Sequence, residues 1–376
     1  MEPNAERSPQ SRPPDDDIID LASELIRIRT EPENTAALHT ALDLCRNRIT
    51  SGKVEIFECN GSRSLLAWNT PTRPERFRII LNGHLDIIPG KPEQYEPVVR
   101  GDRLYGVGAT DMKAAVATII AVFNQMADQV DYPLGLQLVT DEELGGFNGT
   151  GHQVDQGIRT EFVIAAESTG FDIVNRAKGV LWATITARGV TAHGAYPWRG
   201  ENAVQKMVRF LTALEREFPV PMQQELCTTV NVSSIRSENE AFNKIPDQCA
   251  VQLDIREMPG EPRKALDRLR RILPDDFELK IVAHEPALFV PDTNLFLHEL
   301  GAAAAEIRGT PSKLYCAQGS SDARHYTRVG DAGVEFGPLG GGIGGDEEWV
   351  DLPSLSTFKR ILLRFLERQR RPGGAS

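Results

Sequence analysis

The chain of 376 residues has no run of 18 apolar residues, so no segment is expected to cross a membrane. It also lacks an excess of basic residues. Lys and Arg number 42 against 53 Asp and Glu, and the net charge of −11 disfavours nucleic acids and anionic membranes as partners. The five cysteines are odd in number and show no CxxC spacing, which predicts free thiols in a reducing compartment, most simply the cytoplasm.

The first 16 residues lack an apolar segment, which argues against a signal peptide. Their polar, Pro-rich composition predicts a disordered leader. The rest of the chain is typical of a soluble globular protein, with 40% hydrophobic and 25% charged residues. Its length predicts two domains, and no internal repeat is visible.

Short apolar runs alternate with helical patterns over most of the chain. The runs FRIILNG, LGLQLVT and FVIAAE are bounded by turn or polar residues, as expected for buried strands of a mostly parallel sheet. Helical spacing of apolar residues covers 17–49, 112–126 and 355–368. This alternation predicts a three-layer α/β domain formed by residues 17–175 and 286–376.

Residues 176–285 follow a different order. Strands near 180–188, 227–234, 248–256 and 278–283 are expected, with helices near 201–216 and 262–274. The order β-α-β-β-α-β is that of a ferredoxin-like α+β unit. We therefore predict an α+β lid domain inserted into the α/β domain.

Four short motifs place metal-binding side chains at the ends of predicted strands or at a helix start. They are GHLD with His84 and Asp86, GATDMKAA with Asp111, TDEELGG with Glu142 and Glu143, and AAESTG with Glu167. In an open α/β sheet these strand ends share one edge, so the side chains can converge. Each motif alone has an ordinary reading: a structural histidine, a helix N-cap, or a solvated acidic loop.

One histidine among several carboxylates suits a hard or borderline divalent ion, and zinc is the plausible choice. Two adjacent glutamates suggest a division of labour. One would bind the metal, while its neighbour takes a proton from a metal-bound water.

The sequence here resembles the co-catalytic zinc metallopeptidases, which include acetylornithine deacetylase, succinyl-diaminopimelate desuccinylase and aminoacylase. The resemblance covers roughly residues 17–370 and is carried by the four motifs above, by GVTAHGAYPWRGENAV and NKIPDQCAVQLDIR, and by FGPLGGG. It implies that His84, Asp111 and Glu167 bind a first metal. Asp111 would bridge to a second metal that Glu143 also holds, and Asp86 would orient His84.

The resemblance also implies roles in the reaction. Glu142 would be the general base, and His193 in the lid would polarise the substrate carbonyl, often across a dimer interface. Asn243 and Arg256 match lid positions associated with a substrate carboxylate, which an Arg can pair with bidentately. The alternatives are a surface histidine at 193 and a structural salt bridge at Arg256. A homodimer through the lid is expected on the same resemblance.

The stretch GGGIGGDEEWVD at 340–351 departs from the family pattern, in which the last ligand of the second metal is a His four residues before a Glu. Aligning Glu348 with that Glu places Gly344 where the His belongs. No GK[ST] follows, so the glycines do not indicate a phosphate loop. Three consequences stay open: a substitute ligand such as Asp346, Glu347 or water, a weak or absent second metal, or altered chemistry.

The segment SSDARHY at 320–326 has two readings. Ser320, Ser321 and Asp322 are suitable N-cap residues for the helical run that follows. A substrate contact by Ser321 or Arg324 is the alternative.

The sequence thus predicts a metal-dependent amidohydrolase acting on an N-acyl amino acid or small dipeptide-like amide with a free carboxylate. The expected cofactor is zinc, one or two ions, with cobalt or manganese as possible substitutes. Two alternatives remain. The same fold could catalyse acyl transfer or condensation, or it could be a non-catalytic binding protein.

Overall fold

The computed structural model describes residues 15–223, 225–261, 264–319 and 321–370. The predicted leader lies outside the described residues up to residue 14. No helix within the described ranges is long and apolar enough to cross a membrane. The chain divides into two compact units. The large unit contains the chain up to Asn175, then Val290–Tyr315 and the part from Ser321 onward, and the small unit contains Arg176–Phe289 and a short segment that begins at Cys316.

The strands are β1 Lys53–Cys59, β2 Ser62–Trp68, β3 Phe77–His84, β4 Val98–Arg100, β5 Arg103–Tyr105, β6 Leu134–Val139, β7 Thr160–Ala165, β8 Ile173–Ala177, β9 Gly179–Arg188, β10 Thr229–Arg236, β11 Gln248–Glu257, β12 Phe277–Glu285, β13 Leu288–Phe289, β14 Leu314–Ala317, β15 Ala332–Glu335, β16 Gly340–Gly341 and β17 Trp349–Asp351. The helices are α1 Asp16–Arg27, α2 Thr35–Arg48, α3 Ala114–Met126, α4 Thr150–Asp155, α5 Ala203–Glu217, α6 Ala265–Ile272, α7 Leu295–Arg308, α8 Ala323–Thr327 and α9 Leu352–Arg368.

The main sheet of the large unit runs in the order β1-β2-β6-β3-β7-β15-β8. Its central strands β6, β3, β7 and β15 are parallel, while β1 and β2 join antiparallel at one side. All six residues of β6 are buried, because helices cover both faces of a parallel sheet. The carboxyl ends of β3, β6 and β7 therefore lie along one edge, which is where the motifs follow.

Helices α1, α3, α7 and α9 pack against one another and share the main hydrophobic core with the sheet. In α1 the residues Ile18, Leu21, Ala22, Leu25 and Ile26 are buried, at the helical spacing that the sequence shows. The predicted helical stretch 17–49 is two helices. Residues 28–34 separate them, and the Asn34 side chain caps α2 by accepting the Ala37 N–H.

The small unit has the predicted β-α-β-β-α-β order, formed by β9, α5, β10, β11, α6 and β12. Its four strands form an antiparallel sheet in the order β10-β11-β9-β12, as in ferredoxin-like units. Alternate residues of β9 and β11 face α5 and α6, so that one face of the sheet is buried. The predicted boundaries of this domain, 176–285, leave out β13 and the short segment that begins at Cys316, which belong to the small unit.

Candidate metal centre

The centre lies at the carboxyl edge of the main sheet. His84 is the last residue of β3, and Glu167 lies two residues after β7. The His84 Nε2 atom is 3.0 Å from Asp111 Oδ1 and 3.7 Å from Glu167 Oε1. One ligand atom from each of these three residues lies within 4.8 Å of the others. Ligand atoms on a tetrahedral zinc ion stand about 3.3 Å apart, so the three side chains fit one ion.

The orientation of His84 suits a metal ligand. Its Nδ1 is 3.0 Å from the backbone oxygen of Asp86 and 3.5 Å from the Oδ1 atom of the same residue. A proton on Nδ1 donated to that backbone oxygen leaves the Nε2 lone pair directed at Asp111 and Glu167. Asp86 does contact His84, as the resemblance implies, but the closer contact is through its backbone carbonyl.

Asp86 also holds the segment that carries the two adjacent glutamates. Its Oδ2 accepts the backbone N–H of Glu143 at 2.8 Å. Glu142 to Leu144 form a single 3-10 turn just past β6. The Oε1 atom of Glu143 is buried and has no hydrogen-bond partner among the described residues. A buried carboxylate oxygen without a donor is costly, and a cation would compensate it.

The carboxylates of the centre perturb one another strongly. Burial raises the pKa of Glu142 and of Glu167 well above the usual value, although the charge of His84 acts in the opposite direction. Burial also raises the pKa of Glu143, to about 7. For His84, burial acts to lower the pKa, but hydrogen bonds with Asp111 and Asp86 outweigh it and raise the pKa. A divalent cation would relieve this repulsion among acidic groups.

Glu348 fixes the backbone around Asp111. Its carboxylate accepts the N–H groups of Gly108 at 3.0 Å, Thr110 at 3.0 Å and Asp111 at 3.2 Å. The side chain is buried, and burial raises its pKa to about 7 while the three backbone donors act to lower it. Asp111 is not the N-cap of α3, because Lys113 occupies that position. The sequence did not indicate this role for Glu348.

A second pair of side chains joins the Asp111 and Glu167 segments. The Thr110 hydroxyl donates to Ser168 Oγ at 2.8 Å, and the Ser168 hydroxyl lies 2.7 Å from the Thr110 carbonyl oxygen. Ser168 directly follows Glu167, so this pair sets the spacing of two prospective ligands. The nearby Gly340 lets β16 approach closely, since a Cβ there would stand only 1.8 Å from Thr110 Oγ1.

The glycine-rich loop is a tight turn between β16 and β17. The Gly345 N–H donates to the Gly342 carbonyl at 2.8 Å, and both Gly342 and Gly344 have positive φ, +74° and +65°. A Cβ on Gly342 would stand 2.5 Å from the Glu347 carbonyl oxygen. The glycines therefore serve the turn and the close approach to the Asp111 loop.

The segment SSDARHY supports the loop that carries Glu142 and Glu143. His325 Nε2 is 3.0 Å from the Gly145 carbonyl oxygen, to which the Arg324 guanidinium also donates. Both side chains are buried. Asp322 occupies the predicted N-cap position of α8, but its side chain makes no cap bond and instead accepts the Thr150 hydroxyl. Ser320 lies outside the described residues.

The predicted lid residues lie in the small unit, at two places. His193 pairs with Lys244 in an isolated β-bridge, and the Gly194 N–H donates to the Asn243 carbonyl at 2.7 Å, so His193 and Asn243 lie side by side. Both are exposed. Arg256 lies near the far end of β11, where its Nε donates to Asp254 Oδ1 at 2.9 Å. The salt bridge considered for Arg256 is thus present.

The fold and the centre together define a class, that of α/β proteins with a candidate metal site at the carboxyl ends of parallel strands. The chain belongs to peptidase family M20/M25/M40, whose model matches residues 80–368. This confirms the resemblance to metallopeptidases and deacylases that the sequence indicates.

Two curated relatives illustrate the similarity. The chain is 28% identical over 387 residues to a succinyl-diaminopimelate desuccinylase of Aromatoleum aromaticum, covering 94% of this chain and 97% of that protein. It is 31% identical over 228 residues to a probable carboxypeptidase of Paracoccidioides brasiliensis, covering 55% of this chain and 51% of the relative. The chain therefore spans about half the length of the carboxypeptidase it matches.

Solved structures agree on the fold. Aminopeptidase PepT from Bacillus cereus superposes with a TM-score of 0.75 at 18% identity, over 94% of this chain and 98% of that one. The YXEP protein of Bacillus subtilis, a dinuclear metal-binding peptidase of the M20 family, superposes with a TM-score of 0.67 at 14% identity. The match covers 93% of this chain and 96% of that one. The predicted α/β fold class is confirmed.

Proposed function

We propose that the chain is a metal-dependent hydrolase that cleaves the amide bond of an N-acyl amino acid or a small peptide-like substrate with a free carboxylate. The observation that carries the proposal is the cluster of His84, Asp111 and Glu167 at the end of the parallel strands, with the half-buried Glu142 beside it. The similarity to a desuccinylase over nearly the whole chain supports the same class of substrate.

His84, Asp111 and Glu167 would hold the ion, with zinc as the expected metal and cobalt or manganese as substitutes. The donor set and its spacing fit such an ion, and so does the buried Glu143 oxygen without a partner. A bound divalent ion supplies Lewis acidity toward a water and toward the substrate carbonyl.

Glu142 is the proposed general base. Burial and the neighbouring Glu167 raise the pKa of its carboxyl group, which favours reversible protonation. The Glu142 carboxylate takes a proton from the attacking water and later returns it to the leaving amine. Glu143 and Asp86 position this loop, through the bond of the Glu143 N–H to the Asp86 carboxylate.

His193 is the proposed donor to the substrate carbonyl. Its Nδ1 accepts the backbone N–H of Ala195 at 3.1 Å, which leaves the proton of the neutral imidazole on Nε2. An exposed Nε2–H can stabilise the negative charge that develops on the carbonyl oxygen. Asn243, beside it, would contact the same end of the substrate.

Arg256 is the proposed partner of the substrate carboxylate. Asp254 Oδ1 accepts the Arg256 Nε–H, one of the five N–H donors of a guanidinium, and also the Trp182 indole N–H. Arg256 lies eight residues along β11 from Gln248, on the order of 25 Å, and Lys244, to which His193 is bridged, comes before Gln248 in the chain. A small substrate that contacts Arg256 would receive His193 from a second copy, which supports the proposed homodimer. We also propose a cytoplasmic location, in keeping with the scattered cysteines.

The test is hydrolysis of a panel of N-acyl amino acids and dipeptides by the zinc-loaded protein, followed by Glu142→Gln. This substitution keeps the shape of the side chain but removes the base. We expect a loss of about 10²- to 10⁴-fold in kcat with unchanged metal content. The matched control is Glu347→Gln, since that carboxylate is 73% exposed.

An unchanged kcat in Glu142→Gln would contradict its assignment as the base. Turnover of the substrates without net hydrolysis would favour acyl transfer or condensation. Absence of both metal binding and turnover in the parent protein would favour a binding protein.

A further inference from the structure

We infer that the chain is a one-metal member of its family: one ion binds at His84, Asp111 and Glu167, and the second position, beside Glu143, lacks a ligand because residue 344 is glycine. The inference rests on the proposed function and narrows it. Its evidence lies in the contacts of the loop that follows β16.

Within the described part of the chain, Asp111 and Glu143 are the side chains that the resemblance assigns to a second ion. The Asp111 carboxylate could bridge two ions, and Glu143 would add one further ligand. Catalytic zinc sites take three protein ligands as a rule, so two leave the second position weak. The first position has three protein ligands, one histidine and two carboxylates.

The acidic residues after Gly344 do not supply the missing ligand. Asp346 forms an ion pair with Lys91, and Glu347 lies 3.4 Å from Arg100; their side chains are 67% and 73% exposed, so both are turned toward solvent. Glu348 is buried, but its two oxygens accept three backbone N–H groups. None of the three carboxylates is therefore disposed to replace a histidine.

The histidine nearest to Gly344 in the sequence already has other contacts. His325 is buried and its Nε2 lies 3.0 Å from the Gly145 carbonyl oxygen. Its ring packs edge-on against Phe147, with centroids 6.0 Å apart. Moving it to the metal would break the support of the loop that carries Glu142 and Glu143.

The family pattern assigns residue 344 to the second position, and the structure leaves room there for a side chain. A Cβ built on Gly344 would meet only Ile88, with Cδ1 at 3.4 Å. The backbone of Ile88 acts to lower the pKa of the Glu143 carboxyl group, so Ile88 lies close to Glu143. A side chain at 344 would therefore emerge beside Ile88, and the space there is open. The φ of +65° is one that histidine adopts more readily than most residues.

The experiment measures bound zinc per chain after reconstitution and desalting, by mass spectrometry, together with the affinity of each ion by calorimetric titration. We expect one ion in the parent protein and none in His84→Ala. Gly344→His should raise the content to two, with a gain in affinity for the second ion above about 100-fold, since a direct ligand exceeds the effect of an indirect one.

Gly344→Ala is the matched control, because it carries the same backbone strain without a ligand and should stay at one ion. Thermal unfolding of both variants establishes that they fold. If Gly344→His folds and stays at one ion, the second position is not beside residue 344 and the inference fails.

Two tightly bound ions in the parent protein would also overturn the inference. The proposed function would then still stand, provided that the Glu142→Gln variant loses turnover. No bound ion in the parent protein would overturn the proposed function as well. The ion count and the turnover of Glu142→Gln thus separate the two failures.

Discussion

Glu348 holds Asp111 through the backbone, since its Oε1 accepts the Asp111 N–H at 3.2 Å although 237 residues separate them in the chain. The same oxygen accepts the Thr110 N–H. A carboxylate that accepts only is suited to this cluster of donors, whereas a carboxamide would point its own N–H groups at some of them.

Glu348→Gln should therefore loosen the Asp111 loop and weaken metal binding by about 10- to 100-fold. Competition with a chelator measures this change. Glu347→Gln, one residue earlier and mostly exposed, is the control and should bind metal like the parent. Equal affinities in the two variants would show that Glu348 does not position the ligand.

Complementation tests whether His193 acts on the site of a second copy. His193→Ala and Glu142→Gln should each be inactive alone. Co-expressed, they should form hybrid dimers in which one of the two sites is intact, giving about a quarter of the parent activity. Activity that stays at the level of the separate variants would place His193 in the site of its own chain.

The burial of His325 leads us to expect that the stability of the folded protein depends on pH. Burial lowers its pKa in the folded protein to about 3, from an ordinary value of about 6.5. Between these values the unfolded chain binds more protons, so the free energy of unfolding must fall as the pH falls. The contribution reaches about 3 kcal/mol by pH 4.

The measurement is urea unfolding of the parent and of His325→Gln at pH 7 and pH 4. The stability of the parent relative to the variant should drop by that amount on acidification, because the variant has no imidazole to protonate. A difference that does not change with pH would show that His325 is accessible to protons in the folded state.

The fold was largely predictable because its central strands can be recognised from the local sequence. Strands β3, β6 and β7 are buried on both faces and therefore read as continuous apolar runs. Strand β2 was not predicted, and neither were the two- and three-residue strands β4, β5, β16 and β17. Strand β4 pairs with β5 and β16 with β17 over short connections, and the β17–β5 pairing alone among these joins distant parts of the chain. Two or three residues are too few for a periodicity to show in the sequence.

The ligand cluster of the candidate metal centre was predictable from the sequence, but the side chains that support it were not. The strand-end rule brings His84 and Glu167 together without knowledge of any contact. Glu348 was aligned by its position in a motif, but its contacts with the Asp111 loop depend on tertiary packing. The support of Gly145 by Arg324 and His325 likewise joins residues about 180 positions apart. The catalytic roles of Glu142, His193 and Arg256 stay predictions.

The position of His193 beyond the opposite end of β11 from Arg256 has a consequence for how the protein behaves at low concentration. Under the proposed arrangement, a solitary chain has a complete set of ligands for the metal but only part of the groups that recognise and activate the substrate. Turnover per chain would then decline on dilution below the dissociation constant of the dimer. The amount of protein made by the cell, and not only its affinity for substrate, would set the threshold at which the activity appears.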